Sequence, residues 1–112
     1  MATRSLRFSR CREKFNSAVY RLAVGEGDVR NRLQRVYPEL RRLREVEVPP
    51  EHWQELSGIL HALTAKGPML DRDGSPIQSA IEHTLGRMRN STGRRHAERI
   101  YRLVSEFNYS YS

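Results

Sequence analysis

Apolar side chains recur with a period of about 3.6 residues in five separate stretches of this chain, with glycine or proline at most of the breaks. This pattern constrains the fold more than any other feature. A stripe of that period forms one face only on a helix, and each such face needs another element to cover it. The first stripe is Phe15, Ala18, Val19, Leu22 and Ala23, a helix over residues 11–24 that stops at Gly25, where an achiral residue can take the left-handed cap conformation. After Gly27, Asp28 can accept from the first amides of a second helix, with Val29, Leu33, Val36, Tyr37 and Leu40 inward. Pro38 removes a backbone donor and is expected to end or kink that helix. Beyond Leu40, Glu45 and Glu47 alternate with Val46 and Val48, so continued helix and extended chain both fit; the reading adopted is helix to residue 44, then extended chain.

Val48-Pro49-Pro50 makes an extended lead-in to a third helix carrying Trp53, Leu56, Ile59, Leu60 and Leu63, bounded by Gly67-Pro68. Asp71-Arg72-Asp73-Gly74 has the composition of a turn. Ser75-Pro76-Ile77-Gln78 fits a capping box with proline in the first turn, opening a fourth helix with Ile77, Ala80, Ile81, Thr84, Leu85 and Met88 inward. Asn90-Ser91-Thr92-Gly93 is expected to interrupt it, and Ala97, Ile100, Tyr101, Val104 and Phe107 carry the last helix. No segment reads as a strand. The expected fold is therefore all-α, a single-domain bundle of about five helices over residues 11–112, with Trp53, Leu56, Leu60, Ile81, Leu85, Ile100, Tyr101 and Val104 as anchors. With 112 residues, 38% of them apolar, the chain has material for one core. Residues 1–10 are expected to form a flexible basic arm.

Four segments, Leu22-Ala23-Val24-Gly25-Glu26-Gly27-Asp28-Val29-Arg30, Gly67-Pro68, Asp73-Gly74-Ser75-Pro76-Ile77 and Arg89-Asn90-Ser91-Thr92-Gly93, together resemble a small group of uncharacterised bacterial proteins of similar length. The resemblance spans most of the chain and implies no activity, cofactor or catalytic residue. Function must be read from the residues.

Charge is the most informative of these. The formal net charge is +7, and it is concentrated at the ends: residues 1–12 hold four arginines and no acid, residues 13–86 hold ten basic and eleven acidic groups, and residues 87–112 hold six basic and two acidic groups. Eighteen of the twenty basic residues are arginine, whose planar guanidinium grips phosphate or carboxylate with two parallel hydrogen bonds; a GC-rich genome would also raise that ratio, without clustering it. Arg87, Arg89, Arg94, Arg95, Arg99 and Arg102 flank the expected turn, with Arg95, Arg99 and Arg102 on one face of the last helix. Thr92, Gly93 and the first amides of that helix would add donors at its positive end. Arg4, Arg7 and Arg10 supply a second basic cluster in the arm. A helix-turn-helix reading fits poorly, because the fourth helix looks too long and amide side chains for base edges are missing from the last helix before Asn108.

The expectation is a non-enzymatic protein that contacts nucleic acid mainly at the phosphate backbone. The alternative is an interaction module, a regulator or inhibitor that binds an acidic or nucleic-acid-binding surface of a larger bacterial or phage protein. His52, His61, His83 and His96, with Glu51, Glu55, Asp71, Asp73, Glu82 and Glu98, supply acid/base groups, and a metal-independent nuclease is the enzymatic reading they allow. His52 and His61 lack zincin spacing, Asp71–Gly74 lacks the remaining ligands of an EF-hand loop, and Gly25-Glu26-Gly27-Asp28 lacks the third glycine and lysine of phosphate-cradling loops. No metal, cofactor or small-molecule substrate is expected. The single Cys11 cannot close an intramolecular disulfide, and no apolar run approaches the ~20 residues that span a bilayer, so a cytoplasmic address is the default expectation.

Overall fold

The computed structural model describes residues 8–111. Five α-helices form the bundle: α1 (Ser9–Val24), α2 (Val29–Arg41), α3 (Pro50–Leu63), α4 (Ala80–Gly86) and α5 (Asn90–Tyr111). A short antiparallel hairpin of β1 (Met69–Leu70) and β2 (Pro76–Gln78) lies between α3 and α4. The long α5 packs against α1, α2 and α3, so its apolar arc is wide, and its Ile100 and Phe107 share one buried core with Phe15, Leu33, Leu40, Leu56, Ile59 and Leu63. None of the helices among the described residues is long and apolar enough to cross a membrane.

Local chemistry explains the element ends. Asp28 caps α2 by accepting from the amides of Arg30 (3.0 Å) and Asn31 (3.1 Å), while Asn31 Oδ1 accepts from the Asp28 amide. Those bonds, the one from the Asn31 amide foremost, hold the Asp28 carboxyl below its ordinary value. The corner before it differs from expectation: Gly25 is extended at φ −66°, and Gly27 takes the left-handed conformation at φ +85°. The exposed carbonyls there are satisfied by Arg32, which donates to Leu22 O and Gly27 O at 3.1 Å each. Pro38 lies inside α2, which runs on to Arg41. The helix does not reach residue 44; a 3-10 turn over Glu45–Glu47 follows, pinned because Glu47 accepts from the Arg44 amide (2.9 Å) and from Arg10 (2.9 Å).

The largest departure from the periodicity lies after α3. Residues 76–78 form β2 and pair with β1, around a turn in which Asp71 Oδ1 accepts from the amides of Asp73 (2.8 Å) and Ser75 (2.9 Å) and Gly74 sits at φ +83°. The cap of α4 is Ser79, whose hydroxyl accepts from the Glu82 amide (3.3 Å) while Glu82 Oε1 accepts from the Ser79 amide (2.9 Å). Two capping boxes four residues apart were available, and strand pairing selects the second. Ser79→Ala is therefore expected to lower stability by about 1 kcal/mol in a denaturant titration, and Ser75→Ala to leave it within about 0.5 kcal/mol.

A second correction concerns anchors. Tyr101 is 61% exposed and Trp53, Leu60 and Ile81 are half-buried, whereas Leu103 and Leu63 are fully in the core. Asn90 to Gly93 do not interrupt the chain; they are the first turn of α5.

Candidate nucleic-acid interface

The connection between α4 and α5 is only Arg87-Met88-Arg89. It is held from behind by Arg30, whose Nη1 donates to Met88 O at 3.1 Å and whose Nη2 pairs with Asp28 at 3.2 Å. Met88 turns toward the core, and Arg87 and Arg89 on either side of it are left exposed. The Gly93 amide donates to Arg89 O (3.0 Å), so Arg89 is the residue from which α5 starts and the amides of Asn90, Ser91 and Thr92 have no intrahelical acceptor.

An open cleft of about 430 Å³ lies along this joint, lined by Ala65, Lys66, Thr84, Arg87, Met88, Arg89 and Thr92. Lys66 is brought there because its amide donates to the buried Thr84 hydroxyl at 3.1 Å, tying the chain after α3 to α4. One turn along α5, Arg95 Nη2 reaches Thr92 Oγ1 at 3.4 Å. No carboxylate lines the cleft, and among the described residues Lys66, Arg87, Arg89 and Arg95 form no ion pair. Three cations thus line a cleft at the positive end of a helix and a fourth, Arg95, adjoins it through Thr92, with no ion pair to any of them among the described residues.

The other expected site residues are placed elsewhere. Gly93 is buried: a Cβ there would stand 2.9 Å from Val29 Cγ1, 3.6 Å from Arg30 Cγ and 3.7 Å from Leu33 Cδ1, so its bareness serves the approach of α2 to α5. Gly93→Ala should gain about 0.5–1 kcal/mol of helix propensity and lose about 1–3 kcal/mol to overpacking, a net destabilisation. Adding Val29→Ala should recover part of that loss in the same denaturant titration. Arg99 does not project into solvent with Arg95 and Arg102. It lies across α3 over Gly58 and pairs through Nε with Glu55 at 3.0 Å. Arg102 is exposed and forms no ion pair among the described residues, and it stands ten residues beyond Thr92, ~15 Å further along the axis. Arg94 lines a different groove, facing α1. Arg10 belongs to α1 and is held by Glu47. That end of α1 packs against the end of α5, where Phe8 meets Tyr111 edge-on at 5.3 Å, so Arg10 stands roughly 30 Å from the cleft. Arg4 and Arg7 lie outside the described residues.

The acid/base candidates are not gathered at the cleft. His52 is buried among Phe107 and Tyr111, with ring centroids at 6.1 and 6.4 Å. Nδ1 of His83 is bonded to Gly67 O at 3.0 Å, and its neighbour Glu82 is occupied by the α4 cap. Burial, then the charges of Arg99 and Arg95, hold His96 below its ordinary value. Burial pushes the Cys11 thiol up to about 12, which removes it as a nucleophile. Among the described residues no three His, Cys, Asp or Glu side chains are placed to hold a metal ion.

Two points of the helix-turn-helix comparison change. The fourth helix has seven residues rather than an excess, and Asn90, as the first residue of α5, presents an exposed amide side chain beside Arg89. Comparison with family models, with curated proteins and with solved structures finds no match for this chain.

Proposed function

We propose that the chain binds nucleic acid through its phosphate backbone at the cleft between α4 and α5. The observation that carries this reading is the set Lys66, Arg87, Arg89 and Arg95, gathered from three segments of the chain around a cleft with no carboxylate in its lining. Cations left unpaired on a protein surface bind mobile counterions, and a phosphate chain that displaces those counterions gains the entropy of their release. Phosphate contacts by arginine and lysine carry no base information, and Asn90 beside Arg89 adds an amide side chain of the kind that pairs with adenine.

Anisotropy of a labelled oligonucleotide tests the assignment. Wild-type protein should saturate the probe at micromolar concentration in low salt, on duplexes of unrelated sequence alike. The Lys66→Ala, Arg87→Ala, Arg89→Ala variant should bind at least about tenfold more weakly on every sequence, a loss of about 1.4 kcal/mol or more. Arg10→Ala, remote from the cleft, should change affinity by less than about twofold. Absence of binding by the wild type, or a triple variant that binds as well as wild type, contradicts the proposal. A single stoichiometric complex with an acidic protein, lost in the same triple variant, would instead favour the interaction-module reading.

A further inference from the structure

A second surface lies on the side of α5 away from the cleft. Between α1 and α5 runs an open groove of about 340 Å³ walled by Val19, Leu22, Ala23, Ala97 and Tyr101, with Arg94 and Glu98 at its rim. The same two helices carry further exposed apolar side chains, Tyr20 (66%) and Val24 (59%) on α1, and the groove's own Tyr101 on α5 is 61% exposed. An open groove with apolar walls on two adjacent helices, one wall an exposed tyrosine, is the kind of surface that a partner covers. Two small residues at its middle, Ala23 and Ala97, let another backbone come close.

The rim charges indicate the occupant. Arg94 and Glu98 stand four residues apart on α5 yet form no ion pair, and arginine preceding glutamate is the weaker order for such a pair in a helix. Both charges are thus free for a partner, one of each sign on a single short stretch. A nucleic acid or an acidic protein calls for a uniformly positive rim, as the α4–α5 cleft has. A two-fold interface calls for a patch complementary to itself, in which each group meets its counterpart from the other copy. We propose that this face is the interface of a homodimer, with the apolar walls of the two copies packed together and Arg94 of each copy paired with Glu98 of the other.

The proposal is independent of nucleic-acid binding, and its test reads mass alone. Sedimentation equilibrium of the full chain, freed of nucleic acid by nuclease and a high-salt wash and then returned to about 0.1 M salt so that the rim charges are not screened out, should give twice the chain mass at roughly 100 µM. Tyr101→Ala, a change at an exposed position, should weaken the dimer by about tenfold or more while the helical circular dichroism stays as in wild type. Arg94→Glu and Glu98→Arg should each weaken it similarly, and the double variant carrying both should recover wild-type association, because the reversed pair is again complementary across the two-fold. A wild type that stays monomeric at that concentration overturns the proposal. So does a dimer insensitive to Tyr101→Ala, or a double variant no better than its parents. A monomer whose affinity for single-stranded oligonucleotide falls on Tyr101→Ala would likewise overturn it, in favour of a base stacked in the groove.

Discussion

Phe107→Ala is expected to destabilise the protein by about 3–5 kcal/mol, the largest single loss predicted for this fold. The ring has no solvent exposure and stands where α1, α3 and α5 meet. It packs edge-on against Phe15 at 5.2 Å and against His52 at 6.1 Å, and it stacks on Tyr111 at 5.2 Å. The Arg12 guanidinium lies over it at 5.5 Å and is itself bound to the carbonyl of Tyr111. Truncation removes apolar contact and leaves a cavity between helices whose other core side chains are already engaged, so little can collapse into the space. Against a total stability of about 5–15 kcal/mol this loss is a large fraction, and the thermal midpoint should fall by roughly 10–20 °C. Tyr101→Ala on the same helix should cost the isolated fold less than about 0.5 kcal/mol, since that side chain is mostly in water. Equal losses at the two positions would mean that α5 is rotated from the orientation described.

That pair of residues also shows what the sequence made legible. The period of about 3.6 residues identified all five helices, and the stop and start signals at Gly25–Asp28 and Pro49–Pro50 were readable because caps are local chemistry. Tyr101 sits at the edge of the same stripe as Ile100 and Val104, so periodicity alone turns it inward. Leu103 was missed because the buried arc is set by which helices surround α5, and contact with α1, α2 and α3 at once moves it toward Leu103. The fourth helix began late for a similar reason. Ser75 and Ser79 offer near-identical capping patterns, and pairing of residues 76–78 with β1, a contact across the Asp71–Gly74 turn, decides between them. At Asn90–Gly93 the composition of a turn is also the composition of a helix's first turn, and the close approach of Val29 to Gly93 is a long-range contact that local composition does not reveal.

The candidate site was legible in part. The cluster of arginines around residue 90 is readable in the sequence, and of its members Arg87 and Arg89 lie with Thr92 along one cleft, with Arg95 reaching Thr92. Sequence gave no warning that Arg99 is neutralised by Glu55, a residue 44 positions away, or that Arg94 faces α1. Lys66 was invisible to it, being an isolated lysine beside Gly67-Pro68 whose approach to the cleft depends on the bond to Thr84.

The proposed neutralisation of phosphates by Lys66, Arg87, Arg89 and Arg95 is read most directly from the salt dependence of binding. Four contacts predict a log-log slope of about −3.6 on duplex DNA, or about −2.8 on a single strand, so affinity for a duplex should fall roughly a hundredfold between about 50 and 200 mM salt. Each of the four cations removed should reduce the slope by about one unit, and by a similar amount on unrelated sequences, because phosphate contacts are shared by all of them. Removing Arg99, already paired with Glu55, should leave the slope nearly unchanged. The measurement is an anisotropy titration of wild type, the Lys66→Ala, Arg87→Ala, Arg89→Ala variant and Arg99→Ala at a series of salt concentrations. A slope near −3.6 for wild type and Arg99→Ala on duplex, falling to about −0.9 in the triple variant, is the predicted result; no binding in low salt, or the same slope in all three proteins, would contradict it.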